Sequence, residues 1–113
     1  MDMRVETQTD DVAVVRPIGR LDLLSAPDSK KQLSTLVGDG HRRLVVDLGG
    51  VVFVDSSGLG ALIAGIRDAR LAEGDLVLAR PNDQARVILE LTTLDQILRT
   101  FRTPEDAVEG LGA

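Results

Sequence analysis

Four consecutive residues of this chain, Asp55-Ser56-Ser57-Gly58, place a carboxylate, two hydroxyls and a glycine at one corner. The apolar run before them reads as a β-strand, and the apolar residues after them have helical spacing. The corner therefore lies at a helix N-terminus, where unpaired N–H groups and the helix dipole stabilise negative charge. A phosphate on a serine is tolerated there, so the residue types permit a phosphorylation switch, with a plain N-cap as the alternative.

Two features of this corner support a switch, with a plain cap still open as the alternative. Ser56 and Ser57 are adjacent hydroxyls where one is enough for capping. Gly58 and Gly60 stand in or beside the first helical turn, where each glycine costs about 0.5–1 kcal/mol relative to alanine. Small residues at these positions let the backbone or active site of another protein approach the hydroxyls.

The other reactive residue types do not indicate catalysis. Ser56 and Ser57 lack the G-x-S-x-G setting of a hydrolase nucleophile. The single histidine, His41, lies in a predicted loop and is expected to be solvated, and the chain has no cysteine. Gly58-Leu59-Gly60 begins like a dinucleotide fingerprint, but Ile63 occupies the place of the third glycine. We therefore predict a protein that is not an enzyme and needs no cofactor or metal.

Composition predicts one domain, residues 1–113, with an aliphatic core. The chain has 113 residues, enough for one ordinary domain, and Phe53 and Phe101 are its only aromatic residues. The net charge of −5 and the scattered basic residues argue against nucleic-acid binding. No apolar run approaches about 20 residues, and the N-terminus is acidic and polar. We expect no membrane insertion, no secretory signal and a cytoplasmic location.

The predicted elements follow the order ββαβαβαβα, which indicates an α/β fold: one mixed sheet of four or five strands with packed helices. Strands are predicted at Met3–Thr7, Val12–Ile18, Leu44–Leu48 with its continuation Val51–Val54, Leu76–Ala79 and Ile97–Phe101. Helices are predicted from Ser25 to about Val37, over Gly58–Leu71, from Pro81 to about Leu91, and from Thr103 onward. Leu44–Leu48 is apolar on both faces and is expected at the sheet centre, with Asp47 near the strand end or paired.

The connections carry further expectations. A turn is expected at Thr9-Asp10-Asp11. Pro17 predicts that the second strand lies at an edge or ends there, because proline cannot donate to a sheet ladder. Gly19-Arg20-Leu21-Asp22 is expected to leave the sheet, and Ser25 is the expected capping hydroxyl of the first helix.

Two segments resemble the STAS-domain family, specifically its bacterial anti-sigma factor antagonists. Gly19-Arg20-Leu21-Asp22 is similar to the family's G-x-L-D. Val45-Val46-Asp47-Leu48, followed by Val54-Asp55-Ser56-Ser57-Gly58-Leu59-Gly60, is similar to its D-L…D-S-[ST]-G-L-G signature. The predicted order of elements also matches that of the family along nearly the whole chain.

The resemblance implies a partner switch. In the family, the unphosphorylated protein binds an anti-sigma factor that is also a serine kinase, and the sigma factor is freed. The kinase then phosphorylates the serine directly after the motif's aspartate, and the complex dissociates. A phosphatase, here expected to be of the PP2C type, resets the switch. Carried over to this chain, Ser56 is the acceptor and Ser57 is its neighbour.

The resemblance also implies a partner surface. Its expected members are Asp22, Asp55, Ser56, Ser57, Gly58, Leu59 and Gly60. Asp22 matches the family's loop aspartate, so we expect it to be exposed on the same surface as the serine corner, although a loop or capping role is its alternative. The chain is expected to be a monomer or weak dimer with no direct nucleic-acid or membrane partner.

Two other roles stay open at this point. STAS-like domains also occur without a phosphoswitch, in transporters, stressosome-type scaffolds and lipid-transport complexes. A nucleotide- or lipid-sensing domain is the second alternative, and ligand binding by the pure protein without a kinase would favour it. The intact Asp55-Ser56-Ser57 favours the phosphoswitch.

Overall fold

A computed structural model describes residues 1–9 and 11–112 of the chain. Across these residues it has six strands and four α-helices. The elements are β1 (Asp2–Thr7), β2 (Val12–Leu21), α1 (Ala26–Gly38), β3 (Arg43–Asp47), β4 (Val51–Val54), α2 (Ser56–Leu71), β5 (Asp75–Ala79), α3 (Asp83–Leu91), β6 (Thr100–Phe101) and α4 (Pro104–Gly110). Short 3₁₀ turns at Leu48–Gly50 and Leu94–Gln96 join some of them. The predicted α/β fold is confirmed.

The sheet is mixed, with strand order β1-β2-β3-β5-β6. β1 runs antiparallel to β2, whereas the β2–β3, β3–β5 and β5–β6 pairs are parallel. β4 also pairs with β2 in parallel, beyond the stretch that pairs with β3. β3 therefore lies at the centre of the sheet, as its apolar faces predict. The 3₁₀ turn makes β3 and β4 two strands, and they were expected to form one extended path.

Two expectations about β2 are wrong. The strand neither ends at Pro17 nor lies at a sheet edge, because β1 and β3 flank it, and Gly19–Leu21 does not leave the sheet but pairs with β4. Pro17 lies between the β3-paired stretch, Val12–Val15, and the β4-paired stretch, so neither of those ladders uses its missing N–H. Gly19 has a φ of +108° at a shift in register, a conformation that glycine adopts without strain.

The helices form two layers around the sheet. The larger core cluster joins one sheet face to α1, α2 and α3 through side chains that include Leu33, Leu62 and Leu89. The smaller cluster packs α4 against the other face, where Val45 and Val77 meet Ala107 and Phe101. β3 contributes to both because successive side chains of a strand point to opposite faces. The core is aliphatic, as the composition predicts.

Asp47, at the end of β3, is the charged exception in this core. Its side chain is fully buried and accepts hydrogen bonds from Arg80 (2.9 and 2.6 Å), Arg16 (3.2 Å) and the Gly49 N–H (3.0 Å). Burial raises the pKa of Asp47, but the hydrogen bonds and charges of the arginines outweigh burial and hold this pKa below its ordinary value. The prediction that Asp47 lies at a strand end or has a partner is correct on both counts.

Several details differ from the sequence prediction. α2 begins at Ser56, two residues before the predicted start, and β6 is only two residues long because a 3₁₀ turn precedes it. His41 is half-buried, and its Nδ1 is buried without a hydrogen-bond partner in the described part of the chain, so it is not simply solvated. The predicted turn at Thr9–Asp11 includes Asp10, which lies outside the described residues.

Candidate functional site

The serine corner is built on the N-terminus of α2. Asp55 is the N-cap residue, and its Oδ1 accepts a hydrogen bond from the Gly58 N–H at 2.8 Å. Ser56 and Ser57 are the first two helical residues, and neither hydroxyl bonds to any residue within 1–9 or 11–112. Ser56 is exposed and Ser57 is half-buried. Since the carboxylate performs the capping, both hydroxyls are left without a structural task.

Asp55 also connects the corner to the loop between β2 and α1. Its Oδ2 accepts a hydrogen bond from the Leu23 N–H at 3.0 Å, and its own N–H donates to the Leu21 carbonyl at 3.2 Å. One side chain thus holds together two loops that lie 32 residues apart in sequence. The structure brings Asp22 and the serine corner to the same end of the molecule, as the sequence predicts.

Asp22 holds this loop in shape. Its carboxylate accepts hydrogen bonds from the N–H groups of Leu24 (3.1 Å) and Ser25 (3.3 Å) and from Arg20 Nε (3.2 Å). Burial raises the pKa of Asp22, but these hydrogen bonds outweigh it and keep the pKa below its ordinary value. The side chain is 18% exposed, so the expectation of an exposed Asp22 is wrong.

Ser25 does not cap α1 with its side chain, contrary to expectation. Its hydroxyl donates to the Arg20 carbonyl at 2.7 Å and accepts the Asp22 N–H at 3.0 Å. The hydroxyl is therefore turned back toward the strand, and Asp22 takes the N–H groups that precede the helix. Together these bonds stabilise the observed conformation of the loop.

The two glycines of the corner have different surroundings. A Cβ at Gly58 would lie 2.1 Å from the Leu21 carbonyl oxygen, so this glycine is required by the close approach of α2 to β2. A Cβ at Gly60 would meet nothing within 4 Å, and Gly60 is exposed. Leu59 is 3% exposed and belongs to the core. Among the predicted partner-surface residues, Gly58 and Leu59 therefore position the corner, whereas Gly60 is open to solvent.

A shallow groove runs beside the corner between α1 and α2. It is lined by Leu23, Ala26, Pro27, Lys30, Ser57, Gly60 and Ala61. Leu23 is 69% exposed and Leu24, next to it, is 89% exposed. Sequence reasoning missed Leu23, Leu24 and Lys30. The available signal was the apolar pair directly after Asp22, in a loop where polar residues are usual.

The strand that leads into the corner is closed on its outer edge by α3. The Gln84 side chain accepts the Val54 N–H at 2.9 Å and donates to the Val54 carbonyl at 2.7 Å. Asn82 caps α3 through the Ala85 N–H and also reaches the Val52 carbonyl at 3.3 Å. These amides replace the neighbouring strand that β4 lacks, so the backbone that ends at Asp55 is held on both sides.

Two further site types were sought in the part of the chain that the structure describes. Residues 1–9 and 11–112 contain no group of three or more histidine, cysteine, aspartate or glutamate side chains that could hold a metal ion. No helix in the same residues is both long enough and apolar enough to cross a membrane.

Comparison with known proteins identifies the family to which a domain with this fold and this serine corner belongs. The family model of the STAS domain matches residues 4–107, so this chain belongs to the STAS domain family. It is 27% identical over 99 residues to the anti-sigma-B factor antagonist of Staphylococcus aureus, covering 87% of this chain and 92% of that protein. The predicted family is confirmed, and relatives of the chain are named anti-sigma factor antagonists.

Solved structures agree with this assignment. The crystal structure of a Thermotoga maritima protein matches with a TM-score of 0.89 and 25% identity, covering 98% of this chain and 95% of the other. The anti-sigma factor antagonist SpoIIAA, solved in its unphosphorylated form, shares the fold with a TM-score of 0.75 and 21% identity, covering 99% of both chains. A SpoIIAA from Bacillus, solved in its phosphorylated form, matches with a TM-score of 0.73 and 22% identity, covering 96% and 97%.

Proposed function

We propose that this protein is an anti-sigma factor antagonist controlled by phosphorylation of Ser56. The unphosphorylated chain binds an anti-sigma factor that is also a serine kinase, and the sigma factor is released. The observation that carries the proposal is that Asp55 caps α2 alone, which leaves the Ser56 hydroxyl exposed and unbonded within the described residues. The solved unphosphorylated and phosphorylated forms of SpoIIAA support a switch of this kind in the fold.

Exposure favours Ser56 over Ser57 as the acceptor. Ser56 is exposed at the first helical position, whereas Ser57 is half-buried and lines the groove beside α1. A kinase active site must surround the hydroxyl that it modifies, and the exposed residue allows this with less movement of the chain. The position of Ser56 directly after Asp55 in the motif supports the same choice.

The kinase supplies the chemistry of the transfer. The Ser56 oxygen attacks the γ-phosphorus of ATP, the bond to the β-phosphate oxygen breaks, and ADP leaves. The hydroxyl proton passes to a base of the kinase, which also holds the metal. This chain contributes a hydroxyl on a rigid corner, positioned by Asp55 and by the Gln84 bonds to β4. A PP2C-type phosphatase later hydrolyses the phosphoserine and restores the binding form.

The phosphate acts on binding and leaves the fold intact. It adds about −1.5 to −2 charge at the N-terminus of α2, where the helix dipole favours negative charge by about 0.3–1 kcal/mol. In the complex, however, the same group lies where two surfaces close together and water is excluded. A desolvated interface tolerates an added dianion poorly, so the complex dissociates.

A binding experiment with and without ATP tests the proposal. The purified chain is titrated against each anti-sigma kinase encoded in the same genome, and phosphopeptide mapping follows incubation with ATP. We expect one kinase to bind the wild type and release it after ATP is added, with the label on Ser56. Ser56→Ala should bind and not be released, and Ser57→Ala is the matched control that should still be labelled on Ser56 and released when ATP is added. Binding by no kinase, or label elsewhere than this corner, would overturn the proposal.

A further inference from the structure

Leu23 and Leu24 are two exposed leucines that are adjacent in the chain. They are 69% and 89% exposed, and they lie side by side in the loop between β2 and α1. Burying a leucine is favourable by about 1.5–3 kcal/mol, so two neighbouring exposed leucines forgo a considerable stabilisation. Nothing in the described fold contacts them enough to remove them from water. Exposed apolar side chains that lie together are suited to a contact with another molecule.

The loop that carries these leucines is stabilised by hydrogen bonds to both of its flanking elements. The Leu23 N–H donates to Asp55, and the Leu24 and Ser25 N–H groups donate to Asp22. The Ser25 hydroxyl closes the loop by donating to the Arg20 carbonyl. The leucines are thus displayed on a rigid support, which lowers the conformational entropy lost when they are buried by a partner.

The position of the leucines connects them to the serine corner. Asp55 holds the Leu23 backbone with one carboxylate oxygen and caps α2 with the other. Leu23 also lines the groove that contains Ser57 and Gly60. A molecule that covers the corner therefore covers the leucines as well, and the open space over Gly60 allows a close approach to α2.

The charge of Lys30, in the groove beside Leu23, indicates the kind of partner surface that fits there. Lys30 lines the same groove, is exposed, and forms no ion pair with any residue in the described ranges. The nearby carboxylates of Asp22 and Asp55 are already occupied by hydrogen bonds within the chain. The cation of the groove suits a partner surface that carries negative charge there.

We propose that Leu23 and Leu24 are the apolar anchor of the complex with the anti-sigma kinase. The leucines enter an apolar pocket of the kinase, and a carboxylate on the rim of this pocket faces Lys30. This inference rests on the proposed function, since it names the contact made by the same partner. It also gives a reason for release, because a phosphate at the corner is repelled by the carboxylate that faces Lys30.

Alanine substitutions at leucines of similar exposure test the anchor. Leu24→Ala is compared with Leu71→Ala and Leu91→Ala, whose leucines are 78% and 79% exposed on other elements. The kinase that binds wild type in the experiment above is titrated without ATP. We expect Leu24→Ala to raise the Kd by about tenfold or more, as truncation of an anchor does, and Leu23→Ala to raise it in the same direction. The two controls should stay within about twofold of wild type, since they lie outside the anchor.

Charge reversal tests the second part of the contact. Lys30→Glu should raise the Kd, and the effect should shrink as salt is added, because salt screens exposed charges. Lys31→Glu is the matched control, since Lys31 is the next residue of α1 and lines a different groove, with Val5 and Leu36. Lys31→Glu should bind as wild type does.

The outcomes separate this inference from the function on which it rests. A kinase that binds wild type and releases it with ATP, yet binds Leu24→Ala within about twofold of wild type, overturns the anchor and leaves the switch in place. Equal losses for Leu24→Ala and Leu91→Ala also overturn it, because exposure alone would then explain the effect. If no kinase binds wild type, the anchor and the proposed function are both wrong.

Discussion

The ends of β3 and β4 make an instructive pair, because each leads into an aspartate that accepts a nearby backbone N–H. Asp47 accepts from Gly49, and Asp55 accepts from Gly58. At the end of β3 the Asp47 carboxylate also accepts hydrogen bonds from Arg80 and Arg16, so both of its oxygens are engaged within the fold. At the end of β4 the Asp55 carboxylate accepts one N–H from α2 and one from the loop after β2, and the adjacent hydroxyls have no hydrogen-bond partner among residues 1–9 and 11–112.

This difference separates a structural polar site from a candidate functional one. A buried carboxylate needs all of its partners inside the molecule, because water cannot supply them. The corner at Asp55 is partly exposed, so it can keep donors and acceptors that the fold does not need. Hydroxyls that the fold does not use, at the start of a well-packed helix, are groups that a second protein can bind or modify.

The largest effect is expected from removing the two aspartates in turn. Asp47→Ala should lower the free energy of unfolding by about 2–4 kcal/mol, because it removes charge-assisted hydrogen bonds in a buried site. Asp55→Ala should cost about 1–2 kcal/mol, the usual cost of a lost N-cap. Urea unfolding of both variants measures the difference. An Asp55→Ala loss equal to that of Asp47→Ala would show that the corner is as structural as the β3 end.

The two glycines of the corner should respond in opposite directions. Gly58→Ala places a Cβ against the Leu21 carbonyl and should cost about 1–3 kcal/mol of stability. Gly60→Ala enters open space in a helix and should stabilise the isolated chain by about 0.5–1 kcal/mol. Thermal melts of both variants check this. Destabilisation by Gly60→Ala would mean that Gly60 is also required by the fold.

Acid should act on the β3 end through Asp47. Its pKa is lowered in the folded chain, so its contribution to stability is fully present above the ordinary value of 3.8 and is lost as pH falls through the lower folded value. Wild type should therefore lose stability on acidification below pH 4 more steeply than Asp47→Asn does. The effect is smaller than that of Asp47→Ala, because the protonated side chain keeps its volume. Parallel pH profiles for wild type and Asp47→Asn would contradict this role.

The smallest effect on stability is expected at the serines. Ser56→Ala and Ser57→Ala should each change the free energy of unfolding by less than about 0.5 kcal/mol, since neither hydroxyl is bonded within the described residues. A chain with phosphoserine at position 56 should melt within a few degrees of the unmodified chain. Circular dichroism measures these melts. Unfolding of the phosphorylated chain would rule out a switch that acts on binding alone.

Local patterns in the sequence determined the framework of this protein. The double-faced apolar run around Val45 identified the central strand, and the capping residue Thr103 marked a helix start that the structure confirms. Asp55-Ser56-Ser57-Gly58 identified the corner, and the longer segments that contain or precede it, together with the order of elements, carried the resemblance to the family that the family model confirms. These features follow from propensity and periodicity, which act over a few residues.

Only the tertiary structure decided how the residues of the corner divide their tasks. Asp22 proved to hold a loop, Gly58 proved to be required by the Leu21 carbonyl, and Leu24 proved to be exposed. The Gly58 result depends on atoms brought close by the pairing of β2 with β4, about 30 residues apart in sequence. Residue type and spacing carry no record of such distances, because burial and hydrogen bonding are set by the packed neighbours. The sequence thus identified the corner, and packing decided which of its residues are free to act.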